Sequence, residues 1–306
     1  MTDIDTEPVT EGEPAVPAMA PDGPGRSISR FLHRHRNMLL FLLLALPVAW
    51  LVFAYVGSLI SLLLRSIYQR DELSGELIHE PTLDNLRTIF TGKVYRDSTI
   101  RTVGIALAVT VIDLAIGLPM AVFIAKVVHP RWRRLLVLAI VTPLWASYVV
   151  KAYAWRALLD GSGGVVKNTI GVSPGFGLTG TILTLAYLWL PYMVLPLYAG
   201  LDRLPDSLLE ASSDLGAKAW TTFRSVVIPL IIPAILAGSI FTFALTLGDY
   251  IAVQFVGGTT QTLGLVIYKF FIGGNDLLAA AFALVPIGIM VIYLLAVRRS
   301  GALENL

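Results

Sequence analysis

The 306-residue chain contains no cysteine, and only 14% of its residues are charged. The first absence removes disulfides, thiolate metal sites and thiol nucleophiles. The second sets the chain apart from soluble domains, in which about 25% of residues are charged. No GxxxxGK[ST] phosphate loop and no HExxH pair occurs, and the glycine-rich run at 161–164 lacks a following Lys-Ser. His33, His35, His79 and His129 do not have metal-ligand spacing. The sequence therefore offers no catalytic residue, no metal site and no nucleotide site. A net charge of +2 is too small to indicate nucleic acid as a partner.

What the chain has is hydrocarbon, with 56% apolar residues and a mean hydropathy of +0.73. Crossing roughly 30 Å of bilayer core takes about 20 apolar residues. Such runs fall at 38–64, 102–127, 135–154, 179–201, 226–247 and 277–297. They are continuously apolar rather than alternating, which selects helices over barrel strands. The expected fold is an all-α membrane protein with six transmembrane helices over 38–300. The first 25 residues carry six acidic and no basic residues together with many prolines, the composition of a disordered tail. A basic juxtamembrane segment follows to residue 37. A cleaved signal would place a short apolar segment right after a basic start, whereas the first apolar run begins only near Met38 and is long enough to span, so it is expected to be retained.

Arginine and lysine next to short loops give the orientation. Arg26, Arg30, Arg34 and Arg36 precede the first run, Lys126, Arg131, Arg133 and Arg134 fill the turn after the second, and Arg298 and Arg299 follow the last. All three places lie on one side, so both termini are expected in the cytoplasm. The loop at 65–101 on the other side balances six basic residues with six acidic ones. Within it, Leu83, Leu86, Ile89 and Phe90 fall at helical spacing, as in a short surface helix that packs locally.

One polar stretch interrupts the pattern on the cytoplasmic side, EASSDLGAKAWTTFRSVVIP from Glu210 to Pro229, which begins in the loop 202–225 and runs into the fifth apolar run. Ser207 and Glu210 have capping-box spacing, and Pro205 and Asp206 suit a helix entry. Leu208, Ala211 or Ser212, and Leu215 form a narrow apolar stripe, and Gly216 can end the helix in the left-handed conformation. A second helical run is expected from Lys218 into the fifth span. This gives a short helix on the cytoplasmic face, joined through one glycine corner to a transmembrane helix.

The stretch resembles the EAA signature of permease subunits of bacterial ABC importers: Glu-Ala-Ala, a Gly six residues after the Glu, and a closing Ile-x-Leu-Pro. Glu210, Ala211 and Ser212 match its opening, Gly216 its glycine, and Val226, Ile228 and Pro229 its close. The resemblance implies a type I ABC importer permease fold in the bacterial plasma membrane. It also implies that Glu210, Ala211, Ser212, Asp214, Leu215 and Gly216 form a coupling helix docking on a cytoplasmic ATPase. By the same resemblance, the partners are a second homologous permease, two ATPase subunits that bind ATP and Mg, an extracytoplasmic substrate-binding protein, and membrane lipid.

TPLWASYVVKAYAWRALL at 142–159, LGDYIAVQFVGG at 247–258 and PTLDNL at 81–86 resemble segments of spermidine/putrescine-type permeases. That group also carries ferric iron, aminobutyrate, phosphonates and thiamine. Ala252 and Val253 stand where many relatives have a proline. For a cationic solute, Asp113 in the middle of the second span is one candidate contact; a hydrogen-bonded or protonated Asp tying helices together is the other reading. Asp249 and Tyr250, with Trp145, Tyr148, Tyr153 and Trp155, offer a carboxylate and aromatic faces, although aromatic residues near span ends also form interfacial belts. Lys151 and Arg156 would repel a cation unless paired or turned away. A self-contained carrier would show internal inverted repeats, and none is evident.

Overall fold

The computed structural model describes residues 36–70, 77–78 and 80–299. The expected acidic tail lies outside the described residues, as do Arg26, Arg30, Arg34, His33, His35 and His79. The chain divides after Leu59 into two compact units. In the first, α1 (Arg36–Leu51) runs through a π turn (Val52–Val56) into the start of α2 (Gly57–Ser66), which continues into the second unit. The expected basic segment therefore overlaps the first turn of α1.

Among its described residues the second unit has helices and one two-residue antiparallel ladder, β1 (Gln69–Arg70) with β2 (Leu77–Ile78), in which Gln69 faces Ile78. There follow α3 (Asp84–Thr91), α4 (Lys93–Val122), α5 (Pro130–Trp145), α6 (Tyr148–Leu159), α7 (Val165–Ile170) and α8 (Leu178–Asp202). Beyond them come α9 (Asp206–Asp214), α10 (Ala219–Thr222), α11 (Ile228–Gly248), α12 (Ile251–Val256), α13 (Leu263–Ile272) and α14 (Asp276–Arg299). Two further π turns, Phe123–Val127 and Phe223–Val227, extend α4 and join α10 to α11. The second of them lies just ahead of Pro229, which has no N–H for the regular ladder.

The core is a trio of packed helices, α4, α8 and α11. Small residues let their backbones approach. A Cβ on Gly238 of α11 would fall 2.7 Å from the Met193 sulfur of α8, and one on Gly200 would fall 2.6 Å from the Ala234 Cβ. Ala121, Met193, Val194, Leu197 and Ile231 fill one end of the trio. Ile105, Val109, Leu185 and Leu188 fill another part with Ala252 of α12. Phe243, Leu263 and Phe282 join α11, α13 and α14, and Ile89 of α3 packs there too. The short surface helix thus buries Ile89 and partly buries Leu86, while Leu83 and Phe90 remain exposed.

Five helices are long and apolar enough to span: 43–66, 93–127, 178–202, 219–248 and 276–299. The third expected span, 135–154, is not one helix. α5 and α6 meet at 92°, with extended backbone at Ala146 and Ser147 between them. Only with this bent pair counted as one crossing are there six spans. Two local causes are visible: Pro143 removes a ladder donor in the last turn of α5, and Ser147, a residue type that favours helix starts, precedes α6.

Ion pairs sort to the two ends. Lys126–Asp206 at 2.8 Å joins the end of α4 to the start of α9, and Arg133–Asp202 at 3.0 Å joins α5 to the end of α8. At the opposite end Asp276, in the first turn of α14, accepts from Arg65 at 2.7 Å and Arg70 at 2.8 Å. The Asn85 side-chain amide donates to the Tyr68 carbonyl there, at 2.8 Å. This grouping agrees with the topology drawn from the basic residues.

Candidate functional site: a fastened cytoplasmic helix and an aromatic cleft

At the end carrying Lys126 and Arg133, α9 is clasped along one side. Lys126 donates to the Leu204 carbonyl and to Asp206, each at 2.8 Å. That hydrogen bond, aided by the lysine charge, holds the Asp206 carboxyl below the usual carboxylate range. Leu209 packs onto the cluster around Leu201 and Leu204, and the Ser212 and Thr222 hydroxyls meet at 2.8 Å, tying α9 to α10. Gly216 adopts φ +79°, and its N–H donates to the Ser213 carbonyl at 2.8 Å, so the glycine corner is present as expected.

One detail departs from the sequence expectation, and a second is added by the structure. The N-cap is Pro205, with no side-chain capping bond, and Ser207 lies inside the helix, so the capping box does not form. Asp206 in the first turn complements the helix dipole instead. The apolar stripe also faces outward: Leu208 is 41% and Leu215 89% exposed, and Glu210, Ala211 and Asp214 are exposed as well. Leu209 and Ser212 are what hold the helix down. An unpaired apolar stripe edged by carboxylates is a surface suited to a partner. Beside it Trp220, also exposed, stacks on Phe223 at 5.7 Å.

The second constellation lies at the far end of α11. Asp249 is buried, accepts from the Tyr148 hydroxyl, and caps α12 by accepting from the Ala252 N–H at 3.0 Å. Tyr148 stacks on Trp189 with ring centroids 5.7 Å apart, and Tyr250 stacks on Tyr268 at 4.6 Å. Tyr148, Trp189, Gly248, Asp249 and Tyr250 border a cleft of about 370 Å³ whose lining includes no Lys or Arg. Arg156 is turned elsewhere, donating to the Phe255 carbonyl at 2.9 Å with its guanidinium 5.2 Å from the Phe176 ring centroid. One carboxylate and several π faces, with no Lys or Arg among the lining residues, make a setting chemically suited to an ammonium group.

The structure brings together only part of the expected set. Tyr148, Asp249 and Tyr250 share the cleft. Trp145, 88% exposed, ends α5 at the bend; Tyr153 packs on Phe255 and Trp155 on Tyr187, none of them lining the cleft. Asp113 is fully buried in α4, and neither of its oxygens has a partner among the described residues, so the hydrogen-bonded tie between helices is not formed there. The Thr184 and Thr246 hydroxyls and the Trp189 indole N–H are likewise buried without partners. Trp189 was missed by sequence reasoning. Its position inside a span, away from any interfacial belt, is the signal that could have found it.

A bundle of apolar helices with a broken third crossing and a fastened cytoplasmic helix defines the class as a type I ABC importer permease fold. Among solved structures, this chain superimposes on a subunit of a bacterial alginate ABC transporter, crystallised with an alginate pentasaccharide-bound periplasmic protein. The TM-score is 0.69 at 17% identity, covering 88% of this chain and 94% of the other. Residues 106–301 match the family of binding-protein-dependent transport system inner membrane components, and the chain belongs to that family. It is 41% identical over 307 residues to the inner membrane ABC transporter permease protein YdcU of Escherichia coli K12, covering 94% of this chain and 98% of the relative. It is 31% identical over 271 residues to the spermidine/putrescine transport system permease protein PotB of the same organism, covering 84% and 96%. The chain is a multi-pass protein of the cytoplasmic membrane.

Proposed function

We propose that this chain is one of two permease subunits of an ATP-driven importer for a polyamine such as spermidine or putrescine. The observation that carries the solute class is the cleft of Asp249, Tyr148, Tyr250 and Trp189, with no basic residue in its lining; the likeness to PotB supports it. In this reading the chain hydrolyses nothing itself. Two cytoplasmic ATPase subunits bind ATP and Mg, and one of them seats the outward stripe of α9. Closing of the ATPase pair moves α9, and the motion reaches α11 through Gly216 and α10, and α4 through Lys126. A loaded extracytoplasmic receptor delivers the solute to the outward-open pathway, in an alternating-access cycle.

The test is ATP hydrolysis in proteoliposomes containing this chain, the permease and ATPase encoded beside it, and the loaded receptor. Spermidine, putrescine, aminobutyrate and ferric iron are compared. Stimulation by the polyamines alone is the expected result. Stimulation by another solute would overturn the polyamine assignment, and no stimulation by any of them would overturn the coupled-importer reading.

A further inference from the structure

The start of α5 holds a second cavity, on the cytoplasmic side and far from the aromatic cleft. Pro130, Arg133, Arg134 and Val137 of α5 and Tyr198 and Asp202 of α8 line an open pocket of about 360 Å³. Arg133 commits Nη1 to Asp202 at 3.0 Å. Its Nε is buried without a partner, and its remaining donors have none among the described residues. Arg134 makes no ion pair among the described residues, and the Tyr198 hydroxyl has no hydrogen-bond partner there. Two guanidinium groups line the pocket with one carboxylate, and the nearby Asp206, which also feels the Arg133 charge, is paired to Lys126, leaving one positive charge in excess beside a free phenol.

The rest of the setting is apolar. Val137 and the Tyr198 ring form the wall, and Leu138, one turn beyond Arg134 on the same face of α5, is 58% exposed, as is Trp132 at 60%. A cationic mouth continuous with an apolar helix face, at the depth where a membrane helix leaves the hydrocarbon, matches a molecule with a phosphate at one end and acyl chains at the other. A small soluble anion would have no use for the apolar half. Guanidinium forks suit phosphate oxygens, which accept paired N–H donors.

We propose that this pocket binds the phosphate of an anionic phospholipid of the cytoplasmic leaflet, held by Arg134, the remaining Nη donors of Arg133 and the Tyr198 hydroxyl. The assignment rests on membrane orientation and is independent of the transported solute.

Native mass spectrometry of the full-length chain, purified with its partner subunits, tests it after exchange into micelles doped with phosphatidylglycerol or phosphatidylcholine. Selective retention of phosphatidylglycerol is expected. R134Q should weaken that retention about tenfold or more, the worth of one hydrogen bond to a charged group, whereas R131Q, which removes a neighbouring charge outside the pocket, should leave it nearly unchanged. Equal losses in R131Q and R134Q would reduce the effect to diffuse surface charge and overturn the proposal, as would no loss in R134Q. Y198F, which alters no charge, provides a second reading: weaker retention supports the pocket, and unchanged retention removes Tyr198 from it. Displacement of the lipid by millimolar inorganic phosphate would identify a free-anion site instead and refute the lipid assignment.

Discussion

Leu215 is where the docking hypothesis can be made quantitative. The residue stands at the end of α9, 89% exposed, on the same stripe as Leu208 and Ala211. Substituting alanine removes the equivalent of about three methylenes, at about 0.8 kcal/mol each when fully buried, or about 2.4 kcal/mol. That corresponds to about 60-fold in a binding constant if the side chain is wholly covered by the partner. The isolated chain has almost nothing to lose at this position, so its own stability should change by no more than about 0.5 kcal/mol. Leu209→Ala provides the contrast: it uncovers the cluster around Leu201 and Leu204 and should lower thermal stability of the chain itself. The assay is paired, with thermal unfolding of the purified permease on one side and retention of the ATPase with solute-stimulated hydrolysis on the other. Leu215→Ala should lose ATPase retention with normal unfolding. If it retained the ATPase and full stimulated hydrolysis, the exposed stripe would not be the docking surface, and the argument built on it would fail.

Gly216 sits at φ +79°, where a side chain costs roughly 1–2 kcal/mol; Gly216→Ala should lower the unfolding temperature and weaken coupling, and Gly216→Asn should do so less. Asp249→Asn keeps an oxygen able to accept from the Ala252 N–H but removes the charge, so expression should hold while polyamine-stimulated hydrolysis falls; unchanged stimulation would take Asp249 out of solute recognition. Lys126 depresses the Asp206 carboxyl, so the stability from this contact is present above the unfolded pKa, about 3.9, and is lost as pH falls through the lower folded value. Unfolding temperatures of wild type and Asp206→Asn should therefore differ by a constant amount from pH 5.5 to 8 and converge only in strong acid; convergence near neutrality would contradict the clasp.

Hydropathy places the five unbroken spans because lipid imposes one requirement on every residue of a span, and the sum of many weak preferences survives local exceptions. It fails at Ala146 and Ser147, where two residues change the direction of the chain without changing its average polarity. The cues were present in Pro143 and Ser147, but both residue types also occur inside intact membrane helices. The short cytoplasmic helix was legible in position and in its glycine stop. Its start was misread because Ser207 and Glu210 satisfy a spacing rule, while the contact that fixes Asp206 comes from Lys126, far away in sequence. Periodicity revealed an apolar stripe but not which side of α9 was held down, a matter decided by Leu209 and by the hydroxyl pair of Ser212 and Thr222. At the cleft, residue type identified Asp249, Tyr148 and Tyr250. Only the packing of α6 against α8 and α12 brings Trp189 to them.

The right-angle bend between α5 and α6 has a consequence for the life of the chain in the cell. Helix ends leave backbone groups outside their own ladders, and hydrocarbon supplies no substitute partner, at several kcal/mol for each group left bare. Beside this bend Trp145 is almost wholly uncovered, and any backbone group left bare there would need another protein surface or water to shield it in a bilayer. If the second permease proposed above is what covers the bend, the abundance of this chain should follow that of its partner, and the broken helix would match subunit numbers.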